Sequence, residues 1–150
     1  MDNHTEAIIA EFTRRMALLN LGIKRYLQLK FRQHGIDLTF EMWQVLMCLW
    51  RADGINQQEI ANIIVKDKAS ITNLIDNLVK RQLVYRQEDS ADRRNKLIFL
   101  THAGKHMRQE IQPWVQEMYA TASTGINMDA VAQILTELDT MRDNLANTAG

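Results

Sequence analysis

The chain has 150 residues, 46% of them hydrophobic, and its 18 basic side chains are balanced by 18 acidic ones. That length and apolar content suit one compact domain or a domain with appended helices, and the single cysteine, Cys48, excludes an internal disulfide framework and a cysteine-rich zinc site. No apolar run approaches about 18 residues, and Glu6 and Glu11 stand where a secretory signal needs basic and then continuous apolar residues, so a cytoplasmic protein without membrane association is expected. The zero net charge conceals a segregation. Between Lys66 and Arg108 ten basic residues face five acidic ones, whereas from Gln109 to Gly150 six acidic residues oppose Arg142 alone. Such a split predicts a middle segment that faces a polyanion and an acidic tail held away from it.

From Thr5 to His34 the residues Ile8, Phe12, Met16, Leu19, Ile23, Tyr26, Leu27 and Phe31 recur at helical spacing, which predicts one long helix. At ~1.5 Å per residue it spans about 45 Å, more than a small domain needs for its own core. Leu18, Leu21 and Leu29 widen its apolar surface, which suits either a second partner or a purely intrachain bundle with the closing helices. Gly35 suits the position past a helix end, and Thr39 suits the N-cap of a second helix running through Trp50. Asp53-Gly54 makes a turn. Asn56 with Glu59 predicts a capping box at the start of a short third helix whose Ile60, Ala61, Ile63 and Ile64 face inward. A fourth helix over Lys68 to Arg81 buries Ile71, Leu74, Ile75, Leu78 and Val79; Ala69, Asn73, Asp76, Asn77 and Lys80 point outward, flanked by Ser70 and Thr72. Leu83 to Arg86 and Lys96 to Leu100 are predicted as the arms of a hairpin around a polar loop. Thr101 caps a fifth helix that Pro113 is expected to kink or interrupt, and a sixth, over Met128 to Ala146, carries apolar residues at near-heptad spacing.

The third and fourth helices, joined by a short turn, have the form of a helix-turn-helix, and a small polar outer face is what entry into a major groove demands. Ser70, Thr72 and Asn73 in the first turns, with Asn77 beyond them, are candidates for base edges, while Lys66, Lys68 and Lys80 are candidates for phosphates. An ordinary solvated helix face has the same composition. The hairpin favours the DNA reading, because its tip carries Asp92, Arg93 and Arg94, where a wing lays arginines along or into the minor groove. Asp92 is expected to fix the loop and aim Arg94 through a charge-assisted hydrogen bond to its guanidinium. The rival reading is a winged-helix protein-interaction module without DNA binding, against which the basic surplus of the middle segment argues. No nucleophile and base pair, phosphate-cradling glycine loop or paired-carboxylate motif is present, so neither an enzyme nor a cofactor or metal is expected.

Asn56-Gln57-Gln58-Glu59-Ile60-Ala61, the run from Lys68 to Leu78, and above all Asp92-Arg93-Arg94-Asn95 leading into Leu97-Ile98-Phe99-Leu100-Thr101 and Gly104 closely resemble the MarR family of winged-helix regulators. The resemblance extends over nearly the whole chain. It implies a mainly α (α+β) fold: a winged helix-turn-helix DNA-binding domain over 37–101 with a small β-hairpin wing, and a helical dimerisation module formed by the N- and C-terminal helices, 1–36 and 102–147. It further implies a homodimer that binds a pseudo-palindromic operator in double-stranded DNA as a ligand-responsive repressor. Two half-sites about one helical turn apart, which multiply affinity and specificity, are an independent reason to expect the dimer. The family's wing pattern maps onto Asp92, Arg94, Leu100 and Thr101. Asn73 stands where many relatives carry arginine, which bears on base preference, and Gln82-Leu83 replaces a common glycine-leucine pair at the entry to the wing.

Trp43, Trp50, Met42 and Met47 have two readings: the lining of an effector pocket, where the family binds small aromatic or phenolic anions, or core packing, which their helical spacing favours. Arg32 and His34 serve equally as polar groups for such an anion or as a solvated helix end. Cys48 lies between Met47 and Leu49 on an apolar helix and is expected to be a core thiol instead of a redox switch. His102 and His106 are one helical turn apart but lack a third ligand for a metal.

Overall fold

A computed structural model describes residues 2–92 and 94–148. In chain order it contains α1 (Asn3–Gln33), α2 (Phe40–Arg51), β1 (Ile55–Asn56), α3 (Gln57–Ile64), α4 (Lys68–Lys80), β2 (Val84–Glu88), β3 (Lys96–Leu100), α5 (His102–Ala122) and α6 (Met128–Thr148). Packing divides the chain after Met118 into two compact units.

The first unit is organised around α2. Its Phe40, Met42, Trp43, Val45, Leu46, Cys48 and Leu49 are buried, and Thr39 caps its start by accepting from the Met42 amide at 3.2 Å. Around it close Leu27 and Phe31 from α1, Ile60 and Ala61 from α3, Ile71, Ile75 and Leu78 from α4, Val84, Ile98 and Leu100 from the sheet, and Ile111 and Met118 from α5. Each fully buried Ile or Leu contributes roughly 1.5–3 kcal/mol through removal of its surface from water. Met42 and Trp43 are therefore core residues, as their spacing indicated, while Met47 and Trp50 are only partly buried. Trp50 finds a partner for its Nε1–H in the Gly104 carbonyl at 2.9 Å.

The buried residues of α1, Leu27 and Phe31, lie in its last third, and its amino-terminal two thirds buries no residue. Local pairs support it, notably Glu11 forked between Arg14 at 2.7 Å and Arg15 at 2.6 Å. Hydrogen bonds from Arg14 and then Arg15 hold the Glu11 carboxyl at about 2.

The sheet has strand order β1-β3-β2, antiparallel throughout. The hairpin of β2 and β3 matches the sequence pattern. Two-residue β1, which pairs Ile55 with Ile98, has no sequence signal because so short a segment shows no alternation. Gly54 precedes it at φ +76°, and a Cβ there would meet the Phe99 ring at 2.4 Å. Pro113 does not end α5, which is assigned without a break from His102 to Ala122; its exposed position lets water meet the carbonyl that the proline leaves without a donor.

The base of the wing is clamped to the start of α5. Thr101 Oγ1 accepts from the Gly104 amide at 3.0 Å and donates to the Gln82 carbonyl at 2.6 Å, and the Thr101 amide donates to the Leu83 carbonyl at 3.0 Å. Gly104 is buried because the Leu83 carbonyl lies where its Cβ would be, at 2.0 Å. Gly104→Ala must push the helix off the wing, and a loss of about 2 kcal/mol or more is expected in chemical denaturation; an unchanged midpoint would show that α5 tolerates the shift.

Candidate nucleic-acid interface

Ile71, Ile75 and Leu78 are fully buried, which turns the opposite side of α4 outward. Asp67 caps this helix: its Oδ1 accepts from the Ser70 amide at 2.8 Å and its Oδ2 from the Ser70 hydroxyl at 2.6 Å. These hydrogen bonds, hydroxyl first and amide second, hold the Asp67 carboxyl below its ordinary value. Ser70, read from the sequence as a base-contacting hydroxyl, is thus engaged in the cap. Thr72 is engaged as well, donating to the Lys68 carbonyl at 2.9 Å and accepting from Gln57 Nε2, a bond that ties α4 to α3.

The polar face that remains is built of linked groups. Asn77 Nδ2 donates to the Asn73 carbonyl at 2.9 Å and to Asn73 Oδ1 at 3.1 Å. Arg81 donates to the Asn77 carbonyl at 3.1 Å and, through Nε, to the Asp37 carbonyl at 2.8 Å. Asp76 is held by Arg86 of β2 at 2.7 Å. Asn73 is exposed and Asn77 partly so, while Lys66, Lys68 and Lys80 are all exposed. Of the residues named for base edges, Asn73 is therefore the most accessible.

In the wing, the Asp89 amide donates to the Asn95 carbonyl at 3.0 Å and the Asn95 amide to the Asp92 carbonyl at 2.8 Å. Asp92 Oδ1 accepts from the backbone amide of Arg94 at 3.0 Å, and no ion pair joins Asp92 to the Arg94 guanidinium among the described residues. This corrects the expected charge-assisted bond. A short carboxylate two residues upstream reaches the amide within a tight turn, so Asp92 shapes the loop that carries Arg94 and leaves its guanidinium exposed. Arg93 lies outside the described residues.

A cleft of about 370 Å³ joins the parts: Gln57, Gln58 and Ala61 of α3, Lys68 of α4, and Arg94, Asn95 and Lys96 of the wing line it. Lys68 and Arg94, named separately from the sequence, thus share one site. Gln57, Gln58, Asn95 and Lys96 were not named as contact residues; the meeting of α3 with the wing brings them to the site. A larger hollow of about 790 Å³ on the α2 and α3 side is walled by Met47, Cys48, Arg51, Ile55, Ile63 and Val65, among others. Cys48 is buried, and burial pushes its thiol up, with Arg51 acting in the opposite direction. That environment does not activate a thiolate. His34 stacks on Trp114 at 4.3 Å, and the described residues contain no His, Cys, Asp and Glu cluster suited to a metal. No described helix is long and apolar enough to cross a membrane.

A helix-turn-helix followed by a two-stranded wing packed on a third short strand defines a winged-helix protein. The MarR family profile matches residues 38–96. The transcriptional regulator HosA of Escherichia coli is 31% identical over 97 residues, 60% of this chain and 71% of HosA. TtmR of Methylorubrum extorquens (strain PA1), an HTH-type transcriptional regulator, is 30% identical over 114 residues, 76% of this chain, which spans 57% of TtmR's length. In structure the chain is similar to Staphylococcus aureus MepR in complex with DNA, with a TM-score of 0.78 and 26% identity over 89% of this chain and 97% of MepR. The chain belongs to the MarR family, and the relatives named here are transcriptional regulators.

Because Asp67 is more acidic in the folded chain, its contribution to stability is present above its ordinary value of 3.8 and is lost as pH falls through the lower folded value. Asparagine also caps helices well but does not titrate. Asp67→Asn should therefore keep the neutral-pH melting temperature close to that of the wild type and flatten its decline below about pH 4; equal acid sensitivity in the two proteins would remove Asp67 from the acid transition.

Proposed function

We propose that the chain is a sequence-specific DNA-binding transcriptional regulator that acts as a homodimer on a pseudo-palindromic operator. In this reading α4 enters the major groove and Arg94 lies in the adjacent minor groove. The observation that carries it is the shared cleft: the start of α4 and the tip of the wing present Lys68, Arg94 and Lys96 on one side of the domain. The relation to MepR, solved with DNA, supports the same reading. Lys66 adds phosphate neutralisation and Asn73 and Asn77 the polar reading surface, while Ser70, Thr72 and Asp92 contribute by holding that surface in shape.

The dimer is supported by apolar surface that the chain leaves uncovered. In α1, Leu18, Leu19 and Leu29 are exposed, Leu19 to 61%; in α6 no residue is buried, and Leu135 and Leu145 are exposed to 58% and 72%. Amphipathic helices of this length need a partner to be stable in water, and helices from the two ends of two chains supply one another. Repression responsive to a small aromatic or phenolic anion belongs to the same proposal. Met47, half-exposed in the wall of the larger hollow beside Arg51, supports it.

Wild-type protein should bind a duplex recovered by selection from a random-sequence pool, with affinity that falls steeply as salt is raised. Arg94→Ala should weaken binding by about tenfold or more without moving the melting temperature. A wild-type protein that leaves all duplexes free at low salt would favour a protein-interaction module.

Sedimentation should give twice the chain mass at micromolar concentration. Leu19→Glu or Leu135→Glu should shift the population to monomer, since each buries an unpaired charge at the proposed interface; a monomeric wild type would overturn the dimer.

A further inference from the structure

We propose that Asn73 reads an acceptor-only base edge, that of guanine, because Asn77 and Arg81 fix which end of its amide faces the duplex. The proposal rests on the DNA-binding reading and names the base that the outer face of α4 selects.

An asparagine amide carries an acceptor oxygen and a donor nitrogen, and turning it over about its last torsion exchanges the two unless neighbours of fixed polarity oppose the turn. Here the neighbours oppose it. The Asn73 backbone carbonyl only accepts, so the Asn77 atom that meets it at 2.9 Å is Nδ2. The same Nδ2 lies 3.1 Å from the Asn73 side chain, which must offer Oδ1 to it. At the other end of the row Arg81 only donates: its Nη1 meets the Asn77 carbonyl at 3.1 Å and Asn77 Oδ1 at 3.4 Å. Arg81 is itself held by Asp37, through Nε to the carbonyl at 2.8 Å and through Nη2 to the carboxylate at 2.9 Å. A donor-only group at one end and an acceptor-only group at the other give the row Arg81, Asn77, Asn73 a single direction.

With Oδ1 turned to Asn77, Nδ2 of Asn73 lies on the far side of Cγ of an exposed side chain, and Ala69, one turn earlier, has no acceptor in its side chain. Among the described residues this Nδ2 gives its hydrogens to no protein acceptor. The other neutral side-chain donors of α4 are spent: Ser70 Oγ on Asp67, Thr72 Oγ1 on the Lys68 carbonyl, and Asn77 Nδ2 on Asn73. Lys68 and Lys80 are charges suited to phosphates. The helix therefore offers the major groove one neutral nitrogen with two hydrogens. Guanine presents two adjacent acceptors there, O6 and N7; adenine sets an amino group beside its one acceptor, cytosine presents an amino group, and thymine has one acceptor beside a methyl group. Guanine alone can take both hydrogens, whereas the two-point pairing with adenine needs Oδ1 turned outward. Asn77 and Arg81 act as positioning residues through Asn73.

The test is selection of duplexes from a random-sequence pool by the wild type and by Asn73→Ala, with circular dichroism melting to confirm that each variant is folded. One position per half-site should be guanine for the wild type and lose its preference in Asn73→Ala. An adenine pair in place of that guanine pair should weaken wild-type binding about tenfold. Replacing the guanine by 7-deazaguanine, which lacks the N7 acceptor, should weaken the wild type several-fold and leave Asn73→Ala unaffected. Asn77→Leu removes the group that orients the amide, so its preference for guanine over adenine should fall to about twofold or less. In the Asn73→Ala background Asn77→Leu should not move that ratio, a pattern that a merely structural role for Asn77 does not produce. Three results would each overturn the proposal while the DNA reading stood: another base, or none, at an Asn73-dependent position; a deaza substitution felt equally by the wild type and Asn73→Ala; or an Asn77→Leu variant with the wild-type preference. A wild type that binds no duplex at low salt would overturn both.

Discussion

Ile71, Ile75 and Leu78 lie on one stripe of α4 and are fully buried against α2, α3 and the sheet. At 100° per residue a helix anchored by three such side chains has one rotational setting, because any other would draw Asn73 or Asp76 into the core and expose a branched apolar side chain in their place. Every property of the proposed reading surface follows from that setting. It points Asn73 outward, brings Asp76 to Arg86, and directs the first turn of α4 toward the wing.

Around this anchored helix the polar groups divide their labour. Asp67, Ser70, Thr72, Gln57, Asn77 and Arg81 hold one another, and Asp92 holds the loop backbone. A side chain that makes two good hydrogen bonds within the protein loses part of its capacity to make one outside, so rigidity and accessibility are complementary uses of the same residue types. The cations Lys66, Lys68, Arg94 and Lys96 remain at the surface. The resulting design is a fixed polar scaffold that presents a loose set of positive charges, which suits a partner with a regular array of phosphates.

Uncovered apolar surface marks a second kind of incompleteness. Along α1 and α6 it is arranged at helical spacing and suits another helix. At the turn between α3 and α4 it is different: Val65 is 87% exposed and adopts a left-handed backbone conformation at φ +54°, which a β-branched residue resists by sterics. Strain and exposure coincide there beside the hollow that Met47 and Cys48 help to wall, in keeping with the general tendency of local rule-breaking to mark surfaces that bind.

The amino-acid sequence determined the helices, the hairpin and the caps, because those follow from interactions within a few residues. The apolar repeat of α4, the Asn56 and Glu59 capping box and the Asp92 to Arg94 tip are all readable one segment at a time. It also marked Lys68 and Arg94 as cations on candidate reading elements. Tertiary structure alone decided what those local elements do to one another. Strand β1 exists because β3 is there to pair with it. Thr72 accepts from Gln57 instead of standing free, since that partner's position depends on how α4 crosses α3. The cleft itself draws on residues from 57 to 96, and a surface assembled across that separation has no local periodicity to betray it.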